Sequence, residues 1–182
     1  DLIGDGPARQ SIEEASELHA LVKRTRLRYM MAETTYYRQA VIFVRELMRK
    51  SALGRIFYTE AEYYHDLARL VAETKSILFD DKGMRNWRWG IPPMFYPTHA
   101  LAYVVGVTGE RITRVSCLGW KAGNHPFLSE NRYRNPFWNQ SALMQTSGGG
   151  MVRCNVFWLC AGEDERATWF GDVAAIPFGE QR

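Results

Sequence analysis

From Ile12 onward, apolar residues recur at helical spacing: Ile12, Ala15, Leu18, Leu21 and Val22, with Glu13, Glu17 and Lys23 on the other side. Ser11-Ile12-Glu13-Glu14 has the capping-box form, in which the serine and the glutamate three residues later satisfy each other's free backbone donors. A helix is predicted to start here, its apolar stripe buried and His19 packed beside it. The run Leu27–Met31 has strand length, and Glu33-Thr34-Thr35 interrupts it. A second helical pattern, Ala40, Val41, Val44, Leu47 and Met48, ends in Arg49 and Lys50, cations that suit a helix C-terminus.

After Gly54 the period changes to two. Ile56, Tyr58, Glu60, Glu62 and Tyr64 face one way and Phe57, Thr59, Ala61 and Tyr63 the other, a long strand with one polar-aromatic face. Residues 66–93 read as an irregular excursion. Pro97 is placed to open a short helix that buries Leu101, Val104 and Val105 and ends near Gly109. A strand over Ile112–Leu118 follows, then a loop over 119–137. Trp138–Ser147 and Met151–Cys160 form a hairpin around Gly148-Gly149-Gly150, and Ala167–Phe170 adds a strand. This order predicts an α+β fold: a mainly antiparallel open sheet with helices on one face.

At 182 residues and 46% hydrophobic, the chain has the size of one domain and can bury a core. Its net charge of +3 is too small and scattered for nucleic acid or a membrane surface. No apolar run approaches the roughly 20 residues that span a bilayer, and DLIGDGPARQ does not have the form of a signal peptide. Cys117, Cys154 and Cys160 fit no metal-ligand spacing and sit in apolar runs, so buried free thiols and a reducing, cytoplasmic compartment are expected.

Among the histidines, His99 has the most informative neighbourhood. In Tyr96-Pro97-Thr98-His99 the phenol and imidazole stand about one helical turn apart, facing one cleft. There His99 either caps the helix start or shares proton transfer to a substrate hydroxyl with Tyr96, while Arg88 holds an anion or a sugar oxygen. His65 and Asp66 are adjacent on a strand and point to opposite faces, which argues against a dyad. His125 is expected to be solvated. Glu60 and Glu62 are spaced like a carboxylate pair but are expected to form a solvated strand face. The sequence has no G-x-S-x-G, H-E-x-x-H or P-loop motif. Trp87, Trp89, Phe137 and Trp138 fall in or beside loops, where aromatic rings can stack on a sugar.

Several stretches together resemble the Gfo/Idh/MocA oxidoreductases, which act with NAD or NADP on sugars, polyols and related compounds. They are Pro7 with Ser11–Ala15, Tyr29–Glu33 with Tyr36-Tyr37-Arg38, Leu53–Ile56 with Glu60, and Tyr96–His99. The resemblance runs from Pro7 to about Phe170. It implies that residues 1–35 are the helix-strand-helix remnant at the end of a Rossmann dinucleotide-binding domain, and 36–182 a substrate-binding and oligomerisation domain. Where the family has Glu-Lys-Pro, this chain has Asp5-Gly6-Pro7, without the lysine; where many members have Asp-x-x-x-His, Phe95 stands in place of the aspartate. The Tyr-x-x-His form instead resembles the subgroup that includes NAD-dependent glycosidases. It implies Tyr96 and His99 as acid/base residues, and Arg88, Trp87, Asn139 and Arg153 as substrate contacts. With no G-x-G-x-x-G turn in the sequence, an N-terminally truncated member is expected that does not turn over alone and has no metal site. Pairing of copies through the open sheet is expected too, and a non-catalytic dimerisation or carbohydrate-binding module is the alternative.

Overall fold

The computed structural model describes residues 2–4, 11–73 and 77–179. Asp5-Gly6-Pro7 lies outside the described residues. The chain begins with a parallel pair, β1 (Leu2–Gly4) beside β2 (Tyr29–Met31), connected through α1 (Ile12–Thr25). Three residues are too few for β1 to show a period, and it was not expected. α1 starts where the sequence predicts, with Ser11 Oγ accepting the Glu14 N–H at 3.2 Å, and ends at Arg26 in the left-handed region. Its apolar stripe is not buried: no residue of α1 is, Ile12 is 81% exposed, and His19 is exposed as well. A two-stranded sheet offers too little surface to cover it.

A 3₁₀ turn, Thr34–Tyr37, leads into α2 (Gln39–Arg49), then β3 (Ile56–Tyr64) and α3 (Leu67–Ala72), whose N-cap is Asp66. A second 3₁₀ turn, Pro93–Phe95, precedes α4 (Thr98–Thr108). There follow β4 (Ile112–Trp120), the single turn α5 (Pro126–Ser129), β5 (Asn139–Thr146), β6 (Met151–Phe157), β7 (Asp164–Gly171) and β8 (Ala175–Gly179).

The six strands order as β4-β5-β6-β3-β7-β8. All neighbours are antiparallel except β3 and β6, which run parallel with Glu62 opposite Asn155, so the sheet is mixed. β8, absent from the expectation, closes one edge. Pro177 is tolerated there because an edge strand can spare a donor.

α4 packs on one face of the sheet and α2 packs on α4. Ala100, Tyr103, Val104 and Val107 meet Ala61, Cys154, Val156 and Trp169, and the Trp169 indole donates to the Tyr103 carbonyl at 2.9 Å. Because α4 lies between two layers it is buried nearly all round, and the strip left to solvent includes Val105, 40% exposed against expectation. The thiols are free, but only Cys154 is buried; Cys160 is half-buried and Cys117 is exposed on the thinly covered edge strand β4.

Candidate active site

The site forms where the start of α4 meets the end of β3 and the 3₁₀ turn before α2. His99 Nδ1 lies 2.8 Å from Glu33 Oε1, and the same oxygen accepts the Thr35 N–H at 3.0 Å. Burial would push the Glu33 carboxyl up; the His99 ring and the Thr35 amide outweigh it and hold the carboxyl below its ordinary value. An ionised Glu33 is acceptor-only, so Nδ1 carries the hydrogen and Nε2 is the basic nitrogen. Thr35 supports this assignment. Its hydroxyl donates to Glu165 Oε2 at 2.9 Å, leaving its oxygen to face His99 Nδ1 at 3.5 Å as an acceptor.

Tyr63, from β3, packs at a tilt 4.7 Å from His99 and 6.0 Å from Tyr96, ring centre to ring centre. Its hydroxyl lies 2.8 Å from His65 Nδ1. Burial, followed by Tyr96 and the nearby glutamates, raises the Tyr63 phenol well above its ordinary value, so it stays protonated and donates. Burial lowers His65, leaving the ring neutral with Nδ1 as acceptor and Nε2 3.7 Å from Glu163. Tyr96 packs 5.2 Å from His99 and 6.1 Å from Trp158. A cavity of about 50 Å³ opens beside these rings, lined among others by Tyr63, His65, Arg88, Tyr96 and Trp158. The Arg88 guanidinium lies 4.3 Å over Trp87, whose ring is 6.5 Å from Tyr96.

Tyr96, His99, Arg88 and Trp87 therefore converge. Asn139 and Arg153 do not join them. Asn139 commits its amide to backbone, accepting from Trp158 and Leu159 N–H and donating to the Leu159 carbonyl, so it fixes the strand end that carries Trp158. Arg153 lies on the opposite, open face, paired at 3.0 Å with both Glu60 and Glu62. Glu62 does not lie on a solvated face, contrary to the expectation, but is 2% exposed: Arg153, Arg166, Tyr64 and Asn155 all bond it. A groove of about 1170 Å³ runs along that face, but its inward carboxylates Glu60 and Glu62 are already neutralised by arginines.

His125 likewise is no solvated loop residue: it caps α5 by accepting the Phe127 N–H at 3.1 Å. Asp66 Oδ1 caps α3, so His65 and Asp66 do part as expected, yet His65 enters the site. Glu33 closes the resembling stretch Tyr29–Glu33, which assigns it no role, and spacing alone marks neither Tyr63 nor His65 as a site residue.

No protein-family model and no curated protein matches the sequence. Solved structures do. Scyllo-inositol dehydrogenase from Lactobacillus casei, with bound NAD(H) and scyllo-inositol, superposes with a TM-score of 0.74 at 13% identity, over 97% of this chain and 49% of that one. Myo-inositol 2-dehydrogenase from Lactobacillus plantarum gives 0.72 at 13%, over 100% and 51%. An inositol dehydrogenase homolog complexed with NAD+ from Azotobacter vinelandii gives 0.71 at 18%, over 97% and 45%. The chain has their fold. It spans about half their length, and the α+β sheet domain with its mixed strand order is what it shares with them. No helix among the described residues is long and apolar enough to cross a membrane.

The start of α1 is not built for a pyrophosphate. A pyrophosphate binds free amides at a helix N-terminus, but at α1 Ser11 takes the Glu14 amide, and Glu13 and Glu14 make the first turn acidic.

Proposed function

We propose that this chain is the substrate-handling part of an NAD(P)-dependent oxidoreductase acting on a sugar or polyol, of the Tyr-x-x-His kind related to NAD-dependent glycosidases. The observation that carries this reading is the Glu33–His99 pair beside an aromatic cavity. With Nδ1 donated to Glu33, His99 Nε2 accepts a proton from a substrate hydroxyl, while Tyr63, Tyr96 and Trp158 offer apolar surface to the part of the substrate that enters beside them. Arg88 and Trp87 contact the substrate's substituents. NAD or NADP supplies the hydride chemistry in such enzymes; this chain's own residues manage the proton and the orientation.

On this reading residues 1–35 are the end of a dinucleotide-binding domain, which the parallel β1-α1-β2 unit supports, and 36–182 the substrate domain. The 182 residues alone are not expected to turn over, since the sequence has no G-x-G-x-x-G turn. Free cysteines accord with the cytoplasm. Copies pair through the open sheet face, where Leu118 is 82% and Leu143 62% exposed.

Aromatic-ring NMR during titration with scyllo-inositol and glucose tests the reading. Shifts of the Tyr63, Tyr96 and His99 signals, reduced in Glu33→Ala, are expected. Unmoved signals would discard it, and micromolar NAD binding in calorimetry would discard the claim about the missing nucleotide site.

A further inference from the structure

The cavity beside His99 is too small for a sugar ring. At about 50 Å³ it has room for a few waters at ~10–15 Å³ each, so it receives a substituent of the ring it adjoins. Its walls are mostly apolar or aromatic: Ile77, Ile91, Tyr63, Tyr96 and Trp158. Among the described residues no carboxylate lines it. The neighbouring imidazole, His65, is neutral and has Nδ1 engaged by Tyr63. Among the described residues Arg88 is the one permanent charge on the wall.

The state of that arginine is unusual for this molecule. Among the described residues three arginines are half-buried: Arg45, Arg88 and Arg153. Arg45 spends its N–H groups on the carbonyls of Gly106 and Tyr36, and Arg153 on Glu60 and Glu62. Arg88 has its flat face on Trp87, and among the described residues its N–H edge meets no hydrogen-bond acceptor or carboxylate. A guanidinium withdrawn from water without a counter-ion costs free energy that a bound anion restores, and a wall of aromatic rings strengthens the attraction by excluding water.

Resting on the reading of this cleft as the substrate site, we propose that the cavity takes the carboxylate of a uronic acid, with Arg88 as the specificity-determining contact. The planar fork of a guanidinium matches a carboxylate in two parallel hydrogen bonds, and Trp87 holds that plane in place. A phosphate is tetrahedral, larger, and carries about −1.5 to −2 charges, more than the single guanidinium balances.

Titration of the 182-residue chain with glucuronate, glucose and glucose 6-phosphate, read on the Tyr63, His65 and Tyr96 ring signals, tests this. Glucuronate is expected to bind about tenfold or more tightly than glucose. Arg88→Met should erase that advantage, so that glucuronate binds no more tightly than glucose, and Arg88→Lys should keep only part of it. An unchanged amide spectrum shows that each variant is folded. Equal binding of glucose and glucuronate would overturn the carboxylate assignment and leave the substrate site standing. Tighter binding of glucose 6-phosphate would overturn it in favour of a phosphate. A glucuronate preference that survives in Arg88→Met would remove Arg88 from the role. If no sugar moves the rings, the substrate-site reading falls together with this one.

Discussion

Protonating His65 is an acid-sensitive event expected in the site. Burial holds its pKa below the ordinary 6.5 in the folded chain, so the unfolded chain binds the proton more readily. Its contribution to stability is therefore complete above pH 6.5 and is lost as pH falls from there through the folded value. The physical event is loss of the acceptor: a protonated Nδ1 repels the Tyr63 hydroxyl hydrogen it now receives at 2.8 Å. Glu33 and Glu62, both lowered from 4.5, give way only in a second window below that value. Thermal unfolding followed by circular dichroism from pH 7.5 to 5 should fall more steeply for the native chain than for His65→Gln, whose amide accepts from Tyr63 without titrating. Parallel curves would refute the assignment. At this scale the sequence showed Tyr96 and His99, which one helical turn brings together. It could not show Glu33, 66 positions from its partner, nor that Glu62 would be enclosed by arginines from β6 and β7. Alternation along a strand says which face a side chain takes; it does not say what covers that face.

Helix boundaries were the most legible elements, because caps are local: Ser11 opens α1 and Gly109, at φ 69°, closes α4 as expected. Burial was less legible. α1 is amphipathic yet exposed, whereas α4 has little polar face and lies between two layers. The contact that sets this second layer is at Gly106, where a Cβ would stand 2.9 Å from Val41 Cγ1 and 3.1 Å from Tyr36 Cδ2. Alanine is favoured over glycine in an exposed helix by roughly 1 kcal/mol. Here that gain is opposed by overpacking, typically about 1–3 kcal/mol, and by disturbance of the Arg45 bond to the Gly106 carbonyl. Gly106→Ala is accordingly predicted to destabilise the chain by about 1 kcal/mol net, measured by urea unfolding. A stabilised variant would mean that α2 is free to move away from α4.

The whole molecule has two unlike sheet faces. The α+β class was readable, but the parallel pairing of β3 with β6 was not, because strand order depends on contacts far apart in the chain. That pairing places Glu60 and Glu62 against Arg153 and, across β7, Arg166, a closed ionic patch on the face away from α4. Beside it on the same face stand Leu118, Trp120 and Leu143, exposed by 82%, 52% and 62%. Large apolar side chains grouped in this way, next to charges that are already paired, suit burial against a second copy: the apolar half gains by leaving water, and the ionic half needs no new counter-ion. Light scattering at tens of micromolar is expected to give the mass of a dimer. Leu118→Glu with Leu143→Glu should return it to a monomer, since two like charges would be buried at the contact. His99→Ala, on the other side of the sheet, should leave the mass unchanged. A native chain that stays monomeric, or a charge pair that leaves the dimer intact, would place the contact elsewhere. The exposed stripe of α1, with Ile12 81% exposed, would then be the next apolar surface to mutate.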